Sequence, residues 1–126
     1  MPRFFHTDAA VVPLVPAANQ APAANNAAVC TLAAPSGNNA WNIGAIHWSY
    51  NATPSNGSLT IAWTDKGTGN NQTETYYITA GGINSMNYRR QYQAGNNGGV
   101  TITLAAGGAS CSGSVYVDAW QETLNQ

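Results

Sequence analysis

Charge is scarce in this sequence, and the scarcity excludes more functions than any motif suggests. Only 7% of the 126 residues are Asp, Glu, Lys or Arg, and the formal net charge is -1. The basic residues are Arg3, Lys66, Arg89 and Arg90. Four such groups, mostly far apart, gain little from counterion release on a phosphate backbone, so no nucleic-acid partner is expected. Long apolar runs are missing too. Asn, Gly or Pro interrupts each one far short of the roughly 20 residues a membrane helix requires, so no membrane partner is expected. The opening MPRFFHTDAAVVPLVPAANQ has no charged-then-apolar order, and Asp8, Pro13 and Pro16 break its apolar part. It is therefore not read as a secretory signal, and Met1 is read as the natural start of a protein made in the cytoplasm.

Catalytic equipment is equally thin. The histidines are His6 and His47, and the carboxylates Asp8, Asp65, Glu74, Asp118 and Glu122 are scattered. Asp65 and Glu74 flank one turn, but a hydrolytic pair also needs a cleft and a set separation. No Cys/His spacing fits zinc, and GTGNNQ lacks the acidic ligands of a calcium loop. The glycine pairs at 81, 98 and 107 open no helix that could hold a phosphate. The expectation is a non-enzymatic protein with no metal and no cofactor. In a reducing compartment Cys30 and Cys111 are expected as free thiols, though a bridge stays open if the first and last strands are neighbours. Sequons at Asn51, Asn56 and Asn71 are what a chain this rich in Asn, Ser and Thr produces by chance, and they mark exposed turns.

What the sequence does hold is alternation. Ile46, Trp48 and Tyr50 share one face of a run opposite His47 and Ser49, and Leu59, Ile61 and Trp63 share a face opposite Thr60 and Ala62. Asn51, Pro54, Ser55, Asn56 and Gly57 lie between them, so Ala45 to Trp63 reads as a β-hairpin. Val29 to Ala33 is a weak first strand. Further runs are Thr73 to Thr79, whose inward face the pattern leaves open, then Ile83 to Tyr92, Val100 to Leu104 and Ser112 to Trp120. The last of these puts Ser114, Tyr116, Asp118 and Trp120 on one face. Short strands with turn signals and no helix predict an all-β protein, an antiparallel β-sandwich of jelly-roll or Greek-key type, over residues 29–126.

Residues 1–28 differ in character. Prolines at 13, 16 and 22 favour extended backbone, giving an N-terminal arm rather than a core element. Phe4, Phe5, Val11, Val12, Leu14 and Val15 are too many apolar anchors for an idle linker, so the arm is expected to dock on a partner. On the domain itself, His47 is read as a surface or interface residue. Arg89 and Arg90, flanked by Tyr88 and Tyr92, carry two readings. Successive strand residues face opposite ways, so at most one is buried; alternatively an exposed Arg between tyrosines is an interface anchor. Exposed Tyr and Trp could instead form a sugar-stacking platform, which keeps a carbohydrate-binding module open.

Residues 45–117 also carry a motif series. It runs Ile46, Trp48-Ser49-Tyr50, Pro54 and Gly57 before Leu59-Thr60-Ile61, Ile78-Thr79 before Gly81, Val100 to Gly108, then Gly113 and Val115. The series resembles a small β-sandwich family found among structural proteins of tailed bacteriophages. That resemblance implies a virion component: a capsid decoration (cement) protein, often trimeric, bound to the outer surface of the head. Its partners would be the major capsid protein and further copies of itself. The arm, with Phe4, Phe5, Val12 and Leu14 as anchors, would clamp neighbouring capsid subunits, with His47, Arg89, Arg90 and Tyr92 as the domain's contact residues. A tail or head-fibre component is the nearest alternative, and the carbohydrate-binding module the next. The arm and the turn at 65–72 lie outside the family pattern.

Overall fold

The computed structural model describes residues 19–34, 39–64, 69–93 and 99–123. They form eight strands: β1 (Asn19–Gln20), β2 (Ala28–Leu32), β3 (Asn39–Tyr50), β4 (Gly57–Thr64), β5 (Asn71–Ile78), β6 (Gly82–Gln93), β7 (Val100–Leu104) and β8 (Gly113–Thr123). All pairings are antiparallel. The front sheet has the order β1-β8-β3-β6 and the back sheet β2-β7-β4-β5. This is the strand order of an eight-stranded jelly roll, in which the chain crosses between sheets at every connection except β4 to β5.

Each sheet turns one set of alternating side chains inward. Ile43, Ile46, Val115 and Val117 come from the front sheet, and Leu59, Ile61, Val100, Ile102 and Leu104 from the back; all are essentially inaccessible to water. Burying each stabilises by about 1.5 to 3 kcal/mol before conformational entropy is subtracted. Trp48, Trp63, Met86 and Tyr88 pack at the margins of this core. Cys30 and Cys111 are both buried free thiols. Burial raises the Cys30 thiol above its ordinary pKa.

The expected hairpin from Ala45 to Trp63 is an arch instead. β3 pairs with β6 and β8, whereas β4 pairs with β5 and β7, so the two runs face each other across the core. Period-two patterning is the same in both arrangements, because each requires one apolar face directed at the same core. What differs is where the turn sends its backbone hydrogen bonds. Here they go to the β7–β8 connection: Asn51 N–H donates to Ser112 O (3.0 Å) and Ser55 N–H to Gly107 O (2.8 Å). Asn56 supplies the positive φ of 57°. Among the described strands, the consecutive pair that hydrogen-bonds as neighbours is β4–β5.

The arm assigned to residues 1–28 also ends earlier than composition suggests. Asn19 and Gln20 pair with Tyr116 and Val115, and Asn25 N–H donates to Cys111 O at 3.0 Å. The described residues from 19 onward thus belong to the sandwich. Phe4, Phe5, Val11, Val12, Leu14 and Val15 lie outside the described residues.

Candidate functional site

The outer side of the front sheet is built by three long strands. Gly44 is an extra residue on β3 relative to β8, and the register slips there, between Ile43 and Ala45. Such a bulge re-phases the strand. Ile43 and Ile46 both point inward although they are three apart, while Asn42, Ala45, His47 and Ser49 point outward. β8 contributes Ser114, Tyr116, Asp118, Trp120 and Glu122, alternating with buried Val115, Val117 and Ala119. β6 contributes Ile83, Ser85 and Asn87. The pairings set these into cross-strand rows: Ile83–Ser49–Ser114, Ser85–His47–Tyr116, Asn87–Ala45–Asp118, and Asn42 beside Trp120.

Two features give the face its chemistry. His47 Nε2 lies 3.1 Å from Asp118 Oδ2, so that nitrogen carries a proton and donates it to the carboxylate. The side chains are 43% and 32% exposed. A pair this wet adds at most about 1 kcal/mol to stability, so its polar atoms remain available to a ligand. The His47 ring also sits 5.8 Å from that of Tyr116, tilted by 55°. The second feature is Trp120, whose indole lies over the bulge. A Cβ at Gly44 would come within 3.1 Å of Trp120 Cζ3, so the missing side chain is what lets the ring lie down on the sheet. Tyr116 and Trp120, four residues apart on β8, are separated by about 13–14 Å along the strand. Beyond Trp120, Asn42 Nδ2 donates to Glu122 Oε1 at 3.3 Å.

Of the contact residues expected from the sequence, His47 stands at the centre of this face. Arg89, Arg90 and Tyr92 belong to β6, next to β3, with Arg90 opposite Ile43 and Tyr92 opposite Trp41; their backbone is four or more residues along β6 from Ser85, the residue opposite His47. Sequence reasoning placed no carboxylate beside His47, because Asp118 is 71 positions away and only the β3–β8 register brings them together. It also grouped Tyr116, Asp118 and Trp120 on one face without giving that face a role. Asp65 lies outside the described residues, and Glu74 instead accepts hydrogen bonds from the Tyr76 and Tyr88 hydroxyls, each at 2.9 Å. Among the described residues no three His, Cys, Asp or Glu side chains converge as metal ligands would.

No family model and no curated protein sequence matches the chain. Among solved structures it is similar to a Family 16 Carbohydrate Binding Module-2 at 12% identity and TM-score 0.43, over 78% of this chain and 70% of that one. It is similar to a CBM28 module described as specific for non-crystalline cellulose at 14% identity and TM-score 0.39, over 78% and 67%. It is also similar to the enzymatically active domain of tailspike protein 4 of Bacteriophage CBA120, at 15% identity and TM-score 0.38, over 79% of this chain but 14% of that one. Likenesses of this size do not bear on what the chain binds.

Proposed function

We propose that this protein binds glycans on the outer side of the front sheet. One observation carries the reading: the register of β3 and β8 sets Tyr116 and Trp120 on one open face with the His47–Asp118 pair, over the small residues Gly44 and Ala45. A sugar ring offers an apolar C–H face bordered by hydroxyls. Aromatic rings satisfy the first, and a carboxylate, an imidazole and carboxamides satisfy the second. Between the rings lie Ala45 and the His47–Asp118 pair, so a saccharide laid across this face meets apolar surface and polar groups together. A glycan array read against wild type and Trp120→Ala is the test. Binding to a restricted set of glycans that disappears in the variant is expected; an array with no signal would sink the proposal.

A second reading keeps the chain on a bacteriophage particle, as a capsid decoration protein or a tail or head-fibre component, the arm clamping the major capsid protein and the copies forming a trimer. The position of β1 favours it. Because Asn19–Gln20 is the edge strand beside β8, the chain upstream of residue 19 starts from the margin of the front sheet. Deletion of residues 1–18 leaves β1 intact and tests the arm alone. Unchanged particle occupancy would remove this reading, and copies per particle separate head decoration from a tail or fibre component.

A further inference from the structure

The row beyond His47 and Tyr116 borders a concavity. It is a hollow of about 380 Å³ bounded by Pro22 after β1, Ser49 near the end of β3, Ile83 near the start of β6 and Ser114 near the start of β8. Three observations set it apart from the aromatic face. Ile83 is 91% exposed, more than any other large apolar side chain among the described residues, and it stands on this face opposite Ser49. Ser49 and Ser114 are directly paired, and among the described residues neither hydroxyl is engaged by another side chain. The opposite wall, Pro22, is held in place because Asn25 N–H is tied to Cys111 O.

We infer that this hollow is a distal subsite for an acetyl group carried by the bound glycan. The inference rests on the glycan reading of the same face. An acetyl substituent has a methyl and a carbonyl oxygen, which require an apolar wall and a hydroxyl donor side by side. Ile83 supplies the wall and Ser49, beside it in the row, the donor, while Ser114 and Pro22 close the far side of the hollow. The row lies two residues along β8 from Tyr116, about 7 Å. A sugar stacked on Tyr116 therefore brings a substituent of its own or of the adjoining unit to the hollow. A bare hydroxyl in the same place would face Ile83 and leave its exposed side chain uncovered.

The experiment is a glycan array printed as matched pairs with and without acetyl groups, such as O-acetylated xylotetraose beside xylotetraose. Titration calorimetry then follows on the best-bound pair, with wild type, Ile83→Ser and Trp120→Ala. The acetylated member is expected to bind wild type at least about fourfold more tightly, the gain of burying one methyl group. Ile83→Ser, at a solvent-exposed position, is expected to erase that preference, to leave the unacetylated ligand unchanged, and to melt as wild type does. Trp120→Ala is expected to weaken both. Equal affinity for the two members, or an equal loss for both in Ile83→Ser, would overturn the subsite while leaving the glycan reading in place. No binding to either series would overturn both.

Discussion

The two outer faces of this sandwich obey one alternation rule and carry opposite chemistries. On the back sheet the outward positions are Val29 and Thr31 of β2, Ser58, Thr60, Ala62 and Thr64 of β4, Thr73, Thr75 and Tyr77 of β5, and Thr101 and Thr103 of β7. β-Branched, hydroxyl-bearing residues are what a half-wet strand selects for its own sake. They bond to one another where they touch, as Thr60 and Thr75 do at 3.4 Å and Thr64 and Asn71 at 3.1 Å. The front sheet's outer face holds His47, Asp118, Trp120, Asn42 and Glu122 instead. Asp and Asn are poor strand formers, and Gly44 weakens β3 where it lies. A face that sets Asp118, Asn42 and Gly44 in central strands has been shaped by something besides strand formation, and a ligand is the economical reason.

Removing Trp120 breaks that contrast most severely. Its ring offers the larger apolar surface of the two aromatics, so Trp120→Ala should cost about 2 to 3 kcal/mol of binding, or about 30- to 140-fold in affinity. The fold should survive, because the residue lies outside the core cluster. Tyr77→Ala, a substitution on the back sheet at a side chain that is 83% exposed, should leave affinity unchanged. Calorimetry on both variants decides the comparison. Equal losses would mean that neither face is special.

Asp118→Asn sharpens it by separating binding from stability. The carboxylate is the acceptor that holds His47, and a charged acceptor facing a sugar hydroxyl contributes about 1.5 kcal/mol or more, so roughly a tenfold weaker affinity is expected. The melting temperature should scarcely move, since exposed ion pairs contribute little. A large fall in melting temperature with affinity unchanged would make the pair structural.

How much of this was legible in the sequence depends on which physical interaction set each feature. Alternation in Val100-Thr-Ile-Thr-Leu104 and in Ser114 to Trp120 reports burial directly, so strand existence and inward faces could be read, and the sandwich with them. β5 resisted because it is an edge strand with only Ile78 buried. The arch at Asn51–Asn56 was read as a hairpin because a core-facing pattern contains no term for which strand lies alongside. The site was half-legible for the same reason. Tyr116, Asp118 and Trp120 share a face by period two alone, but the partnership of His47 with Asp118 is a fact of register between β3 and β8, set by the bulge at Gly44.

Tyr50→Phe probes what lies between the faces. The hydroxyl donates to Ala105 O at 2.7 Å, and the ring fills a slot where a Cβ at Gly113 would lie 3.1 Å from it. Losing the hydrogen bond should cost about 1 kcal/mol of stability and leave affinity alone. Burial raises the Tyr50 phenol above its ordinary pKa. Ionisation is thus harder in the folded state than in the unfolded chain: the residue's contribution is complete below pH 10 and is lost as pH rises through the folded value. The wild-type melting temperature should fall above pH 10, and the part of that fall due to Tyr50 should be missing in Tyr50→Phe.

The smallest effect belongs to the threonine face, and it completes the comparison. Thr60→Val with Thr75→Val keeps both β-branches and their shape, and removes one long hydroxyl contact exposed to water. Stability should change by no more than about 0.5 kcal/mol in either direction, since strand propensity is retained and the lost bond competes with solvent. Glycan affinity should be identical to wild type, because these residues lie on the far side of the core from Trp120. If the double variant lost affinity as Trp120→Ala is expected to, the hydroxyl lattice of the back sheet would be the binding surface. The functional residues would then be the ones that strand formation alone had seemed to explain.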